Sequence, residues 1–437
     1  MRMVLIRGQP TSPTANGSAG AAATPGATKA GGRRFALDWL RVAVVLGLIP
    51  YHVAVVFAVG PGDYIQNSER SIVFDAGATL AAFIGMPLLF SISGAATWYA
   101  LKSRTALAYL TERLRRLAVP LIFGILALVP IQLYIDRLNT PGHSLTYFQF
   151  YGQFFDDWAH IVQRRIFGRG FQYWGHLWFL LYLLAVSLFL LPLLGWLRHG
   201  TGSRYSAQLA RFAGRPLGLL LLGAPFGLVE VILQGPVGSR PALDYNNLYG
   251  GVAGLILYVV AFLLGFLLVP DGAFQRAVIR LRVHLLWLAI LLLAAHELVV
   301  GFFSAPILGN PFALAVVRMA RGMITWLLLS AALGFASRYL NAGSRLLRTL
   351  GEASFPLYVL HMPILTVLAY FIARWDTPLF VKFSALLILT AALTGAVYAL
   401  VVRPISLMRF LFGLKPRAKP ASAFLHRRRN VGKQSPG

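Results

Sequence analysis

The feature that most limits how this chain can fold is a train of long apolar runs. Drawn by hydropathy, they lie at 36–58, 74–100, 118–135, 176–197, 216–234, 250–269, 284–302, 314–336, 353–373 and 382–402. A helix needs about 20 apolar residues to cross the hydrocarbon core of a bilayer, and each run comes close to that length. Composition agrees. The chain is 57% hydrophobic with 12% charged residues and a mean hydropathy of +0.68, against about 25% charged in soluble domains. The runs are continuous rather than alternating, which argues against a membrane β-barrel. The expectation is an all-α polytopic membrane protein with about ten transmembrane helices.

The net charge of +26 has two readings, nucleic-acid binding or membrane orientation, and its distribution decides between them. Segments 1–34, 101–118, 198–215, 270–283, 337–350 and 403–437 hold most of the 40 Lys and Arg residues. These segments alternate with the apolar runs so that they all fall on one side. Such alternation marks the cytoplasmic face, so both termini are expected there and no nucleic-acid partner is expected. Cysteine is absent, which excludes disulfides, thiolate metal sites and cysteine nucleophiles.

Three domains follow. Residues 1–34 are basic and rich in Ala, Gly, Thr and Pro, and read as a disordered cytoplasmic N-terminus. They lack a cleavable secretory signal, so the first run is expected to act as an uncleaved anchor. Residues 35–403 form the membrane domain. Residues 404–437 read as a basic cytoplasmic tail whose Arg427, Arg428 and Arg429 suit anionic lipid headgroups. The external loop 136–175 is crowded with aromatics, including Tyr147, Phe150, Tyr151, Phe154, Trp158, Phe167, Phe171 and Trp174. It suits an interfacial helix first, a reading compatible with a stacking platform for a sugar or lipid acceptor.

Ionisable residues inside apolar runs are functional candidates by default. The first run carries Asp38, Arg41 and His52. Arg41 and His52 are eleven residues apart, about three helical turns, so they share one face roughly 16 Å apart along the axis. Asp38 is placed to pair with Arg41 across one turn. Pro50 predicts a kink before His52. His176 and Trp178 open the fourth run, where interfacial anchoring competes with an acceptor role. His361 falls within the ninth, with packing as the plain alternative. Arg113, Arg115 and Arg116 precede the third run and suit either membrane anchoring or a phosphate site. Glu230, His296, Glu297, Arg318 and Arg321 read as structural ion pairs. No Gly-x-Ser-x-Gly elbow, Walker loop, His-Glu-x-x-His or dinucleotide glycine fingerprint occurs.

In this order and within this frame, five motifs resemble those of the acyltransferase 3 family of integral membrane acyltransferases, nearest to its glucan-biosynthesis protein C branch. They are Leu37-Asp38-Trp39-Leu40-Arg41 with His52 eleven residues beyond Arg41, Phe90-Ser91-Ile92-Ser93-Gly94, Arg113-Leu114-Arg115-Arg116 before Pro120, His176-Leu177-Trp178-Phe179-Leu180, and Ser354-Phe355-Pro356-Leu357-Tyr358-Val359-Leu360-His361. They span roughly residues 34–403. Some members place an acid directly after the first histidine; here Val53 follows it.

The resemblance implies about ten transmembrane helices and acyl transfer from a donor such as acyl-CoA to a hydroxyl of a carbohydrate or lipid-linked envelope acceptor. It implies no bound cofactor and an inner (plasma) membrane location among membrane lipids. Acylating an alcohol needs a base and a group that holds developing or donor charge. His52 is the expected general base, or a transient acyl carrier, with Arg41 as its partner. Arg113, Arg115 and Arg116 are expected to orient the donor. His176, Trp178, His361 and Asp38 are expected around the acceptor or cavity. A transporter or lipid flippase could use the same polar residues. No pair of Gly/Pro-broken runs in matching halves supports that reading.

Overall fold

In lipid, every backbone N–H and C=O must find its partner within the protein, which restricts spanning segments to helices and closed barrels. The structure, a computed structural model, describes residues 35–60, 62–139, 142, 144–155, 170–233 and 251–416, and no strand occurs among them. Eight helices are long and apolar enough to cross a membrane, or nine when one bent pair counts as a single span. The protein is an all-α, multi-pass integral membrane protein.

The helices follow the apolar runs closely. They are α1 (Phe35–Phe57), α2 (Ile72–Ser103), α3 (Ala106–Leu138), α4 (Trp178–Phe189), α5 (Leu191–Arg198), α6 (Gly200–Ala213), α7 (Pro216–Leu233), α8 (Gly251–Leu268), α9 (Gly272–Gly309), α10 (Pro311–Tyr339), α11 (Arg345–Ile372), α12 (Leu379–Val402) and α13 (Ser406–Leu411). The fourth expected span is the bent pair, broken by 52° between α4 and α5. Pro192 accounts for the break, since it cannot donate to the Leu188 carbonyl one turn earlier. The sixth, α8, is the shorter apolar helix, and residues 234–250 before it lie outside the described set.

Pro50 lies inside the continuous helix α1. Two expectations shift. Helix α3 starts at Ala106, so Arg113, Arg115 and Arg116 sit within it, where the backbone loosens into a π turn at Leu114–Ala118. Part of the expected tail folds as α13, which Arg409 ties to α11 by donating to Glu352 at 2.9 Å. Residues 1–34 and 417–437, with Arg427, Arg428 and Arg429, lie outside the described residues, as do Trp158 and Phe167 of the aromatic loop. The described part of that loop contains a short helix at 147–155, where Tyr147, Phe150, Tyr151, Phe154 and Phe155 pack on one another and on Tyr134.

Packing between helices in a membrane favours small residues that let backbones approach. The crossing of α2 and α8 shows this. A Cβ on Gly94 would lie 2.0 Å from the Phe262 carbonyl oxygen, and one on Gly265 would lie 2.0 Å from that of Ser91. Gly94, the last residue of the second motif, is therefore a crossing point. Helix α1 packs against α2, α10, α11 and α12, with His52 and Asp38 partly covered and Arg41 more open.

The loop joining α1 to α2 folds back on the end of α1. Asp75 accepts from the backbone N–H groups of Val59 (2.8 Å) and Gly60 (2.9 Å). The N–H groups of Asn67 and Ser71 donate to the Val56 and Phe57 carbonyls, each at 2.9 Å. Buried Lys382 of α12 donates to the Asn67 side chain (3.5 Å) and to the Ala373 carbonyl (3.2 Å). These bonds fix where the loop's side chains meet the bundle.

Candidate active site

His52 lies one and a half turns before the end of α1. Its Nδ1 donates to Asp63 Oδ2 at 2.8 Å, from the loop just described. A carboxylate accepts only, so this bond puts the neutral ring's proton on Nδ1 and leaves Nε2 as a lone pair. The His52 side chain is 15% exposed and that of Asp63 is 40% exposed, so the pair is reached from the loop side.

His361 is brought against it by α11. The two rings lie with centroids 5.4 Å apart. Helix α11 starts eight residues before the ninth apolar run, which puts His361 near the middle of the helix rather than near its entrance. Its Nδ1 donates to the Tyr358 carbonyl at 2.6 Å. Its Nε2 is buried and has no hydrogen-bond partner among the described residues. At 1% exposure, the ring as a whole is out of solvent.

His176 completes the group, 5.4 Å from His361 by ring centroids. It arrives on a short 3₁₀ segment, Gly170–Leu177, ahead of α4. That segment turns at Gly175, with φ 50° and ψ −145°, a conformation that a residue with a Cβ rarely adopts. A Cβ there would also meet Tyr64 Oη at 3.1 Å and Val129 Cγ2 at 3.3 Å. The glycine therefore both permits the turn and leaves room for the loop tyrosine.

Proline chemistry in α11 explains what holds His176. Pro363 has no N–H, so the Val359 carbonyl loses its helical donor. His176 Nε2 donates to that carbonyl at 3.0 Å. Its Nδ1 faces the Gln132 side-chain amide at 3.4 Å. The Tyr358 hydroxyl donates to the His176 backbone carbonyl. The Nε2 atoms of His52 and His361 have no hydrogen-bond partner among the described residues.

Trp178 lies one turn into the same region but faces elsewhere. It packs on Tyr182 and Tyr258, each at 5.5 Å, and Tyr258 stacks on Phe90 of α2 at 4.6 Å. Its neighbour Phe179 meets Tyr358 at 5.8 Å. Trp178 belongs to an aromatic wall beside the histidines rather than to their group.

The arginines form a second group at the far end of α1. Arg41 pairs with Asp38 at 3.2 Å. Arg113 donates to the Tyr109 hydroxyl (2.9 Å) and to Thr97 Oγ1 (2.8 Å). Glu112 lies between Arg104 and Arg116, the latter at 3.5 Å. Arg41, Arg104 and Arg113 are the positive charges that act on Arg116. Arg115 lies over the Phe410 ring at 5.9 Å and points to α13. Arg41, Arg104, Arg113 and Arg116 thus act on one another, with Asp38 and Glu112 among them, an arrangement suited to a phosphate-bearing ligand.

Sequence reading missed Asp63, Gln132, Tyr358 and Arg104 as partners in these groups. Asp63 is an acid in a short loop eleven residues after His52, and no helical periodicity links the two. Pro363 was the readable signal for the His176 contact, because a proline inside a helix always frees a carbonyl.

The chain matches the family Acyl_transf_3, described as an acyltransferase domain, over residues 34–400. No curated protein and no solved structure gives a significant match. The family match begins at the residue before α1, ends within α12 and takes in all three histidines, and on that extent the chain belongs to the acyltransferase 3 family of membrane acyltransferases.

Proposed function

We propose that this acyltransferase moves an acyl group from acyl-CoA to a hydroxyl of a carbohydrate or lipid-linked acceptor of the cell envelope, at the inner (plasma) membrane. The observation that carries the reading is the His52–Asp63 hydrogen bond, which leaves the His52 Nε2 lone pair ready to take a proton. Asp63 orients the ring and offsets the charge of the imidazolium that forms. Transfer then breaks the acceptor O–H bond, forms the ester C–O bond and releases the CoA thiolate, which recovers the proton.

In this reading Arg41, Arg104, Arg113 and Arg116 hold the phosphates of the donor, with Asp38 fixing Arg41 and Arg115 turned to Phe410 beside them. Arg41 and His52 stand about 16 Å apart along one helix, so a donor anchored at the arginines extends its thioester towards the histidines. His176 and His361 wall the reaction centre and Trp178 lines the aromatic side. Asp63 is the exposed member of the pair, which supports entry of the acceptor from the loop side. Both termini and the arginine group face the cytoplasm.

The test uses purified protein in lipid nanodiscs, with CoA release measured against a defined acyl-CoA and a sugar acceptor. His52→Asn is expected to lower kcat by about a hundred- to ten-thousandfold, the usual range for a lost general base, with donor affinity unchanged. Undiminished transfer by a folded His52→Asn protein overturns the reading.

A further inference from the structure

His361 presents an anomaly that the reading above leaves unused. Its Nδ1 proton is committed to the Tyr358 carbonyl. Its Nε2 is therefore a pure acceptor, and it is buried without a donor among the described residues. Buried acceptors in native proteins are nearly always satisfied, and an exception calls for an explanation. Leaving it empty costs stability in the resting state.

The neighbours narrow what could fill it. Three titratable rings contact His361: His52 and His176, each at 5.4 Å, and Tyr358 at 5.9 Å. The Tyr358 hydroxyl is spent on the His176 carbonyl. The His176 N–H is spent on the Val359 carbonyl. Neutral His52 carries its one N–H at Nδ1, on Asp63, and so has nothing to give from Nε2. The situation changes when His52 takes a proton, for its Nε2 then bears a hydrogen.

We infer that His361 is a positioning residue whose Nε2 accepts a hydrogen bond from His52 only after His52 has taken the acceptor's hydroxyl proton. The inference rests on His52 being the base. As the acceptor oxygen attacks the thioester carbon, its proton passes to His52 Nε2, and the new N–H is shared with His361 Nε2. When the C–S bond breaks, the proton passes to the CoA thiolate and both rings return to neutral. No proton or electron is left over. The resting enzyme has an unsatisfied acceptor and the transition state satisfies it. That is an interaction made selectively in the transition state, the kind that raises kcat rather than tightening substrate binding.

Three variants assayed beside wild type decide this. His361→Gln keeps an acceptor oxygen at similar length, whereas His361→Met and His361→Leu keep bulk without a strong acceptor. Met and Leu are expected to lower kcat by about ten- to a hundredfold, the share of a general-base contribution assigned to one hydrogen bond. The KM for acyl-CoA should be unchanged. The acid limb of the kcat/KM profile, set by the free enzyme's base, should fall by about one pH unit, since a tenfold loss in stabilising the imidazolium is one unit. His52, His176 and Tyr358 are the titratable groups facing His361, and of these only His52 takes the reacting proton. Gln should recover part of kcat.

Equal kcat for Gln and Met overturns the inference. So does a loss confined to KM, or an unmoved acid limb, either of which makes His361 a wall of the cavity. Where Leu does not yield folded protein, the Gln-to-Met comparison stands alone. His52→Asn in the same assay separates the two levels. If it is fully active, the proposed function fails. If it is inactive while Met equals wild type, only the role of His361 fails.

Discussion

Two of the polar groups among the described residues of this membrane protein are built on opposite principles. Between α7 and α10, Glu230 and Arg321 are 2% and 3% exposed, and Arg321 donates to Glu230 Oε2 from both Nε (3.2 Å) and Nη2 (2.5 Å). Charge meets charge, and two guanidinium N–H groups converge on one carboxylate oxygen. Between α1, α11 and the turn before α4, three imidazoles meet with one carboxylate at the mouth. There the acceptors outnumber the donors and two lone pairs stay open. A saturated pair has nothing left for a substrate, so it fixes helix positions. An unsaturated group close to the surface has chemical capacity in reserve.

The sharpest way to break this contrast is to cut the saturated pair. Arg321→Met leaves a carboxylate buried without its main partner, which costs about 3–5 kcal/mol in comparable buried pairs. The expected outcome is a large fall in the yield of folded protein and in thermal stability, with kcat per folded molecule close to wild type. A kcat loss at full stability would move the pair into the catalytic machinery.

Asp63→Asn tests the other side and should act in the opposite sense. The amide can still meet the ring but cannot offset an imidazolium. We expect kcat to fall by about ten- to a hundredfold, a share of the general-base contribution, with a melting temperature near that of wild type. An equal loss of stability would make Asp63 part of the loop's fastening, alongside Asn67 and Asp75.

The smallest effect is expected at Tyr64, the loop neighbour of Asp63. Burial holds its phenol well above the ordinary range, with Asp63 and then Asp136 adding to the effect. The folded protein therefore keeps this proton more firmly than the unfolded chain does. The stabilising contribution is complete below the ordinary value near 10 and declines as pH rises through the folded value. Tyr64→Phe should leave melting unchanged at pH 8 and make it less sensitive between pH 10 and 11. Wild-type and variant curves that fall together would show that this phenol does not govern alkaline stability.

Much of the fold was readable because hydropathy is a local property. All ten apolar runs became helices, with α4–α5 bent and α8 shorter than the rest. The positions missed were interfacial ones, where α3 and α11 extend beyond their apolar cores through amphipathic turns. The site was readable in part. Arg41 and His52 share a face because both lie on one helix, and Asp38 reaches Arg41 across one turn for the same reason. The partner of His52 was not readable, since Asp63 comes from a loop and no periodicity relates it to α1.

The sequence by itself determined that this chain is an all-helical membrane protein, which residues interrupt its apolar spans, and the motif order that resembles the acyltransferase 3 family. The tertiary structure decided which interruptions meet. His52, His176 and His361 come from three elements far apart in sequence, and only the rotation of each helix about its axis brings their rings together. That rotation is set by contacts between elements: the backbone crossing at Gly94 and Gly265, the positive-φ turn at Gly175, and the meeting of His176 with the Val359 carbonyl that Pro363 frees. The loop bonds around Asn67 and Asp75 then deliver Asp63, and with it the proton arrangement that leaves His52 and His361 open.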